Sequence, residues 1–167
     1  KEESSFDAPV SSFVITQKEM AISGATTIPD ALKICPGLIV REVSNGTYDV
    51  SIRGGIDGYP AYGYSYINST ILVMINNRPV FNSLQGGTYW QNLPVGLSEI
   101  DRIEVVLGPS SPLYGPNAVS GVINIITALP QQQGTFVRAN AQGGPLTNMV
   151  SMQGGIGLDE KLTAEVT

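Results

Sequence analysis

The feature that most constrains the fold is a set of three apolar runs, each of strand length and flanked by turn-rich sequence. They are residues 71–75 (ILVMI), 103–107 (IEVVL) and 122–127 (VINIIT). A short run of continuous apolar character is typical of a strand that is buried on both faces. Glu104 is the one charge within the second run. We therefore expect residues 71–75 and 103–107 to form central buried strands of a sheet.

Short helices and further strands surround these runs. Thr26 and Thr27 are candidate N-caps of a helix, and Pro29 suits its first turn. An Asn45-Gly46 pair between two β-rich stretches predicts a hairpin. The strand candidates are residues 10–16, 38–43 and 48–53, and the helical candidates are residues 17–23 and 28–34. Because helices and strands are intermixed, the sequence predicts a small mixed-sheet domain of the α+β class.

Composition excludes several kinds of chemistry. The chain has no histidine and a single cysteine, Cys35, which excludes histidine-based catalysis, an intrachain disulfide and a cysteine-based zinc site. Its net charge of −5 disfavours nucleic acid as a partner, because phosphate contacts need a basic surface. The carboxylates that could form an acid–base pair lie outside any catalytic motif; they are Asp30, Asp49, Asp57, Asp101 and Glu104. We expect neither an enzyme nor a bound metal or cofactor.

Beyond Pro130 the pattern changes to an alternation of apolar and polar residues. It is present in residues 135–142, 149–156 and 161–166. A strand of a membrane barrel needs such alternation over ~9–11 residues. An amphipathic hairpin of a soluble sheet has the same pattern, and from periodicity alone it is the better interpretation.

Five segments resemble, in order, the plug domain of TonB-dependent outer-membrane receptors. The longest is RIEVVLGPSSPLYGPNAVSGVINIIT at residues 102–127, which is similar to the signature of that family. The other four are DAPVSSFVITQKEM (7–20), DALKICPGLIV (30–40), SIRGG (51–55) and LVMINNRPV (72–80). The sequence departs from the family at Leu107, where Arg is frequent, and at Asn76-Asn77, which replaces Asp-Gly. The resemblance divides the chain into a plug at residues 1–130 and the first two or three strands of a transmembrane barrel at residues 131–167.

The resemblance implies a gate. In this family a small mixed sheet with short helices and long loops fills the lumen of a 22-stranded barrel in the bacterial outer membrane. The plug binds a scarce ligand and rearranges when TonB pulls on a box near the N-terminus, which we expect upstream of Lys1. The implied partners are therefore the barrel of the same receptor, TonB and a small-molecule ligand. Without the rest of the barrel, residues 1–167 are expected to be soluble.

The plug sequence leaves the identity of the ligand open. An iron–siderophore complex is the default, because iron chelates are the most frequent ligands in the family. Haem, cobalamin, a glycan and a peptide are alternatives, and a passive binding or adhesion module is a distant one.

Two residues are implied as contacts between plug and barrel. Arg53 belongs to the Ile-Arg-Gly segment, and Glu104 belongs to the Arg-Ile-Glu-Val segment. The planar fork of a guanidinium suits a carboxylate of the barrel wall. The alternative is that Arg53 binds local carbonyl groups or Glu104.

Two loops carry the candidate ligand contacts, and the resemblance places them at the outward apex of the plug. The candidates are Asp57, Tyr62 and Tyr64 in residues 54–70, and Gln85, Tyr89 and Trp90 in residues 82–92. Tyr and Trp combine a large contact area with a hydrogen-bonding tip. In the alternative interpretation, Tyr62, Tyr64 and Tyr66 form one face of a strand that packs on the core.

Overall fold

The computed structural model describes most of the chain, in several segments. These are residues 11–53, 70–80, 82, 87–128, 134–143, 148–159 and 162–166. The contacts divide the chain into two compact units, Lys1–Thr127 and Ala128–Thr167. Each unit is described by itself.

The first unit combines seven described strands with short helices. The strands are β1 (Ser11–Thr16), β2 (Leu38–Ser44), β3 (Thr47–Ile52), β4 (Ile71–Ile75), β5 (Arg78–Pro79), β6 (Ile100–Leu107) and β7 (Gly121–Thr127). The α-helices are α1 (Gln17–Ser23), α2 (Ile28–Leu32) and α3 (Ser111–Tyr114), and two 3₁₀ turns cover Trp90–Asn92 and Leu97–Glu99. The structure confirms the predicted α+β class.

Five of these strands form one mixed sheet in the order β1-β6-β7-β4-β5. Within this sheet β4 pairs parallel to β7, and the other pairs are antiparallel. Both β4 and β6 have a neighbour on each side, so the central position predicted for residues 71–75 and 103–107 is confirmed. The predicted burial on both faces is not met in β6, where Ile103 and Val105 are buried and residues 104, 106 and 107 are half-buried, because the other face of β6 carries the charged Glu104. The side chains of residues 71–74 are buried, as a continuous apolar run requires.

The main core lies on one face of this sheet. Ile15 of β1, Ile103 of β6 and Ile123 of β7 are fully buried there. Met20 of α1 and Leu32 of α2 cover them, together with the inner face of the β2–β3 hairpin. A second, smaller cluster lies on the opposite face and contains Leu72, Met74, Ala118 and Val122.

Local sequence signals explain both longer helices. Thr16 and Glu19 form a capping box at the start of α1, and the hydrogen bond from the Thr16 backbone lowers the pKa of Glu19. The Thr27 hydroxyl caps α2 by accepting a hydrogen bond from the N–H of Asp30 at 3.2 Å, as predicted. The helix is shorter than the predicted 28–34, because the N–H groups of Lys33 and Ile34 bond three residues back instead of four.

The predicted hairpin is confirmed as the two-stranded sheet of β2 and β3. Gly46 occupies the tight turn with a φ of 77°, a conformation that glycine adopts without a steric penalty. Arg41 and the buried Asp49 form an ion pair across the hairpin.

A close approach of β6 and β7 fixes the identity of the first residue of β7. A Cβ atom added to Gly121 would overlap the carbonyl oxygen of Val106 and lie 2.5 Å from Cδ1 of Ile52. The loop preceding β7 can therefore join it only through a glycine.

The second unit is an antiparallel meander of β8 (Gly134–Gly143), β9 (Asn148–Asp159) and β10 (Leu162–Val166), in the order β10-β9-β8. Ala139 pairs with Met152 and Ala141 pairs with Val150, so these side chains share a face. That face is exposed; Val150 and Met152 are 74% and 64% accessible. None of the helices in the part of the chain described is long and apolar enough to cross a membrane.

Candidate functional site

Several described segments of the chain reach the same end of the five-stranded sheet. Ile71, the first residue of β4, pairs with Gly121, and Gly121 pairs with Leu107, the last residue of β6. Thr70, the residue before β4, therefore lies where the loop of residues 108–120 begins and ends. After β5 the chain runs back to this end, since the N–H of Val80 donates to the carbonyl of Val73 at 2.9 Å. We call this end of the sheet, where β4 and β7 begin and β6 ends, the loop end.

Direct hydrogen bonds join Thr70 to the loop of residues 108–120. The carbonyl of Thr70 accepts from the N–H groups of Val119 and Ser120 at 3.0 and 2.9 Å. The Ser120 hydroxyl donates to the Thr70 hydroxyl at 2.9 Å. Thr70 is thus held against the loop of residues 108–120.

The candidate ligand contacts have different positions. Asp57, Tyr62, Tyr64 and Gln85, with the alternative residue Tyr66, lie outside the described residues. Tyr89 is half-buried and directly precedes the 3₁₀ turn Trp90–Asn92.

The expectation of an outward-facing Trp90 is not met. Its side chain is only 4% exposed and belongs to the main core, where its turn packs against β3. The reason is energetic, because a buried indole removes more apolar area from water than almost any other side chain. Its Nε1–H has no hydrogen-bond partner among the described residues.

Arg53 lies directly after β3 in a strained backbone conformation. Its φ is 52°, a left-handed value that is uncommon for a residue other than glycine. The strain is held in place by a hydrogen bond from its N–H to the carbonyl of Gly37 at 2.9 Å. The side chain is exposed, and no hydrogen bond joins it to Glu104 among the residues that the structure describes. Strain of this kind often marks a functional position.

Glu104 is engaged within the sheet. One carboxylate oxygen accepts a hydrogen bond from Nε of Arg102 at 2.9 Å, and the other accepts from Nδ2 of Asn124 at 3.3 Å. Asp101 also bonds Arg102, and these two contacts raise the pKa of the guanidinium. The structure therefore brings Glu104 to Arg102 and Asn124 and not to Arg53.

Sequence reasoning missed the polar network that extends from Glu104. Asn124 is buried in the middle of β7, donates to Oδ1 of Asn77 at 2.9 Å and accepts from the N–H of Asn77 at 3.1 Å. The neighbouring Asn76 side chain bonds Thr127 through both its Nδ2 and its Oδ1. The sequence feature that could have revealed this network is Asn124, because an amide within an apolar strand needs a hydrogen-bond partner when it is buried.

The remaining chemistry of the described residues is that of ion pairs and a buried thiol. Asp30 pairs with Lys33, Asp49 with Arg41, and Asp101 with Arg102. Burial raises the pKa of the Cys35 thiol to about 11, so the thiolate that would react as a nucleophile is scarce at neutral pH. No group of histidine, cysteine or carboxylate side chains within the described segments could hold a metal ion.

Comparison with known families gives a match over most of the chain. Residues 4–122 match the model of the family described as "TonB-dependent Receptor Plug Domain". This confirms the resemblance that the sequence motifs indicated.

Two curated relatives align with the chain over most of its length. An iron-regulated outer membrane virulence protein of Vibrio cholerae is 33% identical over 88% of this chain and 24% of its own length. The vitamin B12 transporter BtuB of Vibrio vulnificus is 32% identical over 78% of this chain and 20% of its own length. The chain thus spans about a quarter or less of these relatives.

Solved structures share the fold. The siderophore receptor PirA from Acinetobacter baumannii superposes with a TM-score of 0.63 at 22% identity, over 92% of this chain and 23% of its own. The ferric yersiniabactin uptake receptor FyuA from Yersinia pestis superposes with a TM-score of 0.58 at 23% identity, over 87% and 21%.

Proposed function

Because this chain belongs to the TonB-dependent receptor plug family, we propose that it is the gating plug of an active outer-membrane transporter. The observation that carries the proposal is the family match over residues 4–122, on a mixed sheet of the fold found in solved receptors. In this role the plug closes the lumen of the barrel and admits a bound ligand when TonB acts on a segment upstream of it.

The loop end of the sheet is the proposed ligand-facing end. The candidates Asp57, Tyr62, Tyr64, Gln85 and Tyr89 belong to the sequence segments that adjoin this end, because Thr70 lies there and the chain after β5 runs back toward it. Residues that bind ligands are often located on loops that a rigid scaffold positions. Trp90 is removed from this set, because its indole is buried in the core.

The proposed ligand is an iron chelate. The Vibrio cholerae relative is named for its iron regulation, and the solved neighbours include a siderophore receptor and a ferric yersiniabactin uptake receptor. Cobalamin is the second candidate, because the vitamin B12 transporter is almost equally identical to this chain.

The proposed contact with the barrel wall is the guanidinium of Arg53. Its exposure and strained backbone support the proposal, since a planar fork held outward is ready for a carboxylate. Glu104 is a weaker candidate, because both of its oxygens already accept hydrogen bonds from within the sheet.

We further propose that residues 131–167 begin the barrel. The exposed apolar face of Val137, Val150 and Met152 supports this assignment, because the outer face of a membrane barrel is apolar.

Uptake by cells tests the proposed function. The full-length receptor is expressed in a strain that lacks its own outer-membrane iron and cobalamin receptors, with and without TonB. We expect TonB-dependent accumulation of radioactive iron supplied as ferric siderophores, and none of labelled cobalamin. Accumulation of cobalamin alone would show that cobalamin, and not an iron chelate, is the ligand. Surface binding of ligand without TonB-dependent entry would instead support a passive binding module.

A further inference from the structure

The tip of the β2–β3 hairpin carries the one asparagine of the sequence that is followed by a glycine, Asn45 before Gly46. Both residues of this turn are exposed. A Cβ atom added to Gly46 would meet no atom within 4 Å, so the space around its backbone is open. The side-chain amide of Asn45 and the backbone nitrogen of Gly46 are therefore both within reach of water.

An asparagine followed by glycine can react with its own backbone, and asparagine is among the residues that heat alters chemically. The Gly46 nitrogen forms a bond to Cγ of Asn45, the bond from Cγ to Nδ2 breaks, and ammonia leaves with the proton of the Gly46 nitrogen. Water then opens the resulting succinimide ring at either carbonyl, which gives aspartate or isoaspartate. Glycine favours ring closure, because it has no side chain to crowd the ring.

The asparagines that lie in or beside the sheet are less suited to this reaction. The side-chain amide of Asn76 bonds Thr127 through both its Nδ2 and its Oδ1. Asn124 is buried, its amide donates to Asn77, and the β-branched Ile125 follows it. Sequence and packing thus both favour Asn45 over these residues.

A hydrogen bond restrains the nitrogen that would react. The N–H of Gly46 donates to Oε1 of Glu42 at 3.0 Å. Ring closure requires this proton to leave, and the carboxylate holds it in place. The negative charge of the carboxylate also disfavours a second negative charge on the nitrogen, because like charges disfavour the ionised form of a group. Glu42 is exposed in β2, so the restraint lies at the surface of the hairpin.

From these observations we propose that Asn45 is a site of spontaneous deamidation, and that Glu42 slows the reaction by holding the N–H of Gly46. The reaction needs only the hairpin and does not depend on the proposed function. Aspartate adds a negative charge at the tip. Isoaspartate also adds one carbon to the backbone between Ser44 and Thr47, which are paired across the turn, so the ladder can no longer close in the same register.

Peptide mapping of the aged protein tests the proposal. The purified chain of 167 residues is incubated in mildly alkaline buffer and digested, and mass spectrometry detects the replacement of the Asn45 amide by a carboxyl group. We expect conversion to be about twofold to tenfold faster in Glu42→Ala, the range that the loss of one hydrogen bond implies. An equal or slower rate in this variant, or no conversion of Asn45 in either protein, would overturn the proposal.

Two further variants separate the hydrogen bond from a general loosening of the hairpin. Val43→Ala trims an exposed neighbour in β2 and leaves the Glu42 carboxylate in place, so we expect the rate of the unchanged chain. A rate as high as that of Glu42→Ala would assign the effect to hairpin opening and overturn the role of Glu42. Glu42→Gln keeps an acceptor without its charge, and we expect an intermediate rate. A rate below that of the unchanged chain would show that the carboxylate acts as a base, the opposite of a restraint.

Melting compares the two products. Asn45→Asp reproduces the aspartate product, and chromatography separates the isoaspartate form from the aged protein. We expect the isoaspartate form to melt at a lower temperature than Asn45→Asp, because only isoaspartate lengthens the backbone at the turn. Equal melting temperatures would overturn the expected break in the β2–β3 ladder.

Discussion

Arg53 is a residue whose backbone strain and exposed charge point to a role outside the isolated chain. Its φ of 52° costs an ordinary side chain ~1 kcal/mol, which glycine avoids. Glycine loses more conformational entropy on folding, which offsets part of the gain. We therefore expect Arg53→Gly to stabilise the purified chain by roughly 0.5 kcal/mol, and Arg53→Ala to be neutral within ~0.5 kcal/mol. Urea denaturation measures both differences.

In the full-length receptor the same two variants should loosen the plug. Both remove the guanidinium, so both should raise the entry of a large antibiotic into cells. Arg53→Lys provides the control, because it keeps the charge and loses the planar fork. If both variants destabilise the purified chain by a large amount and leave permeability unchanged, Arg53 is an internal structural residue.

The Asn76-Asn77 turn is an element that side-chain amides fasten to β7. Both residues have positive φ, at 50° and 64°, and Asn77 exchanges two hydrogen bonds with the buried Asn124. We expect Asn124→Ala to cost about 2–3 kcal/mol, since each lost bond to a buried group costs about 1 kcal/mol or more. Asn77→Gly keeps the turn conformation and removes only the amide.

A double-mutant cycle with these two changes isolates the bond from Nδ2 of Asn124 to Oδ1 of Asn77, because Asn77→Gly keeps the backbone N–H that donates to Asn124. We expect a coupling free energy of about 1 kcal/mol or more, measured by urea denaturation of the four proteins. A coupling near zero would show that the bond between the two side chains contributes nothing, and that Asn124 acts through Glu104 and the backbone N–H of residue 77. The replacement of Asp-Gly by Asn-Asn in this sequence would then have no structural consequence at the turn.

The division of the whole molecule at Thr127 predicts that its two units differ in their ability to fold on their own. The five-stranded sheet and its core lie within Lys1–Thr127, so this unit should fold alone. We expect it to melt within about 4 °C of the full chain, the shift that ~1 kcal/mol causes in a domain of this size. Calorimetry of both proteins measures the difference.

Residues 128–167 alone should behave differently. The apolar face of these three strands is exposed and so provides no buried core, and the edge strands of such a sheet tend to recruit other chains. We expect this segment to be unfolded or to associate, as judged by circular dichroism and sedimentation. A stable, folded monomer would contradict its proposed assignment to a barrel.

The sequence by itself determined the local elements, because each depends on residues that are close together in the chain. The apolar run at Ile71–Ile75 predicts its strand through continuous hydrophobicity. Asn45-Gly46 predicts its hairpin through a turn that needs a positive φ, and Thr27 predicts the start of α2 through its capping hydroxyl. The order of the five motif segments also sufficed to indicate the family, which the match over residues 4–122 confirms.

Only the tertiary structure decided which of these elements meet. The pairing of β7 between β6 and β4 brings together residues that are distant in the chain, such as Glu104, Asn124 and Asn77. The same pairing places Thr70 beside the loop of residues 108–120, and the packing of the core turns Trp90 inward. Periodicity and capping act over a few residues. The choice among distant pairings depends instead on how much apolar area the whole sheet buries at once, and no local pattern contains that information.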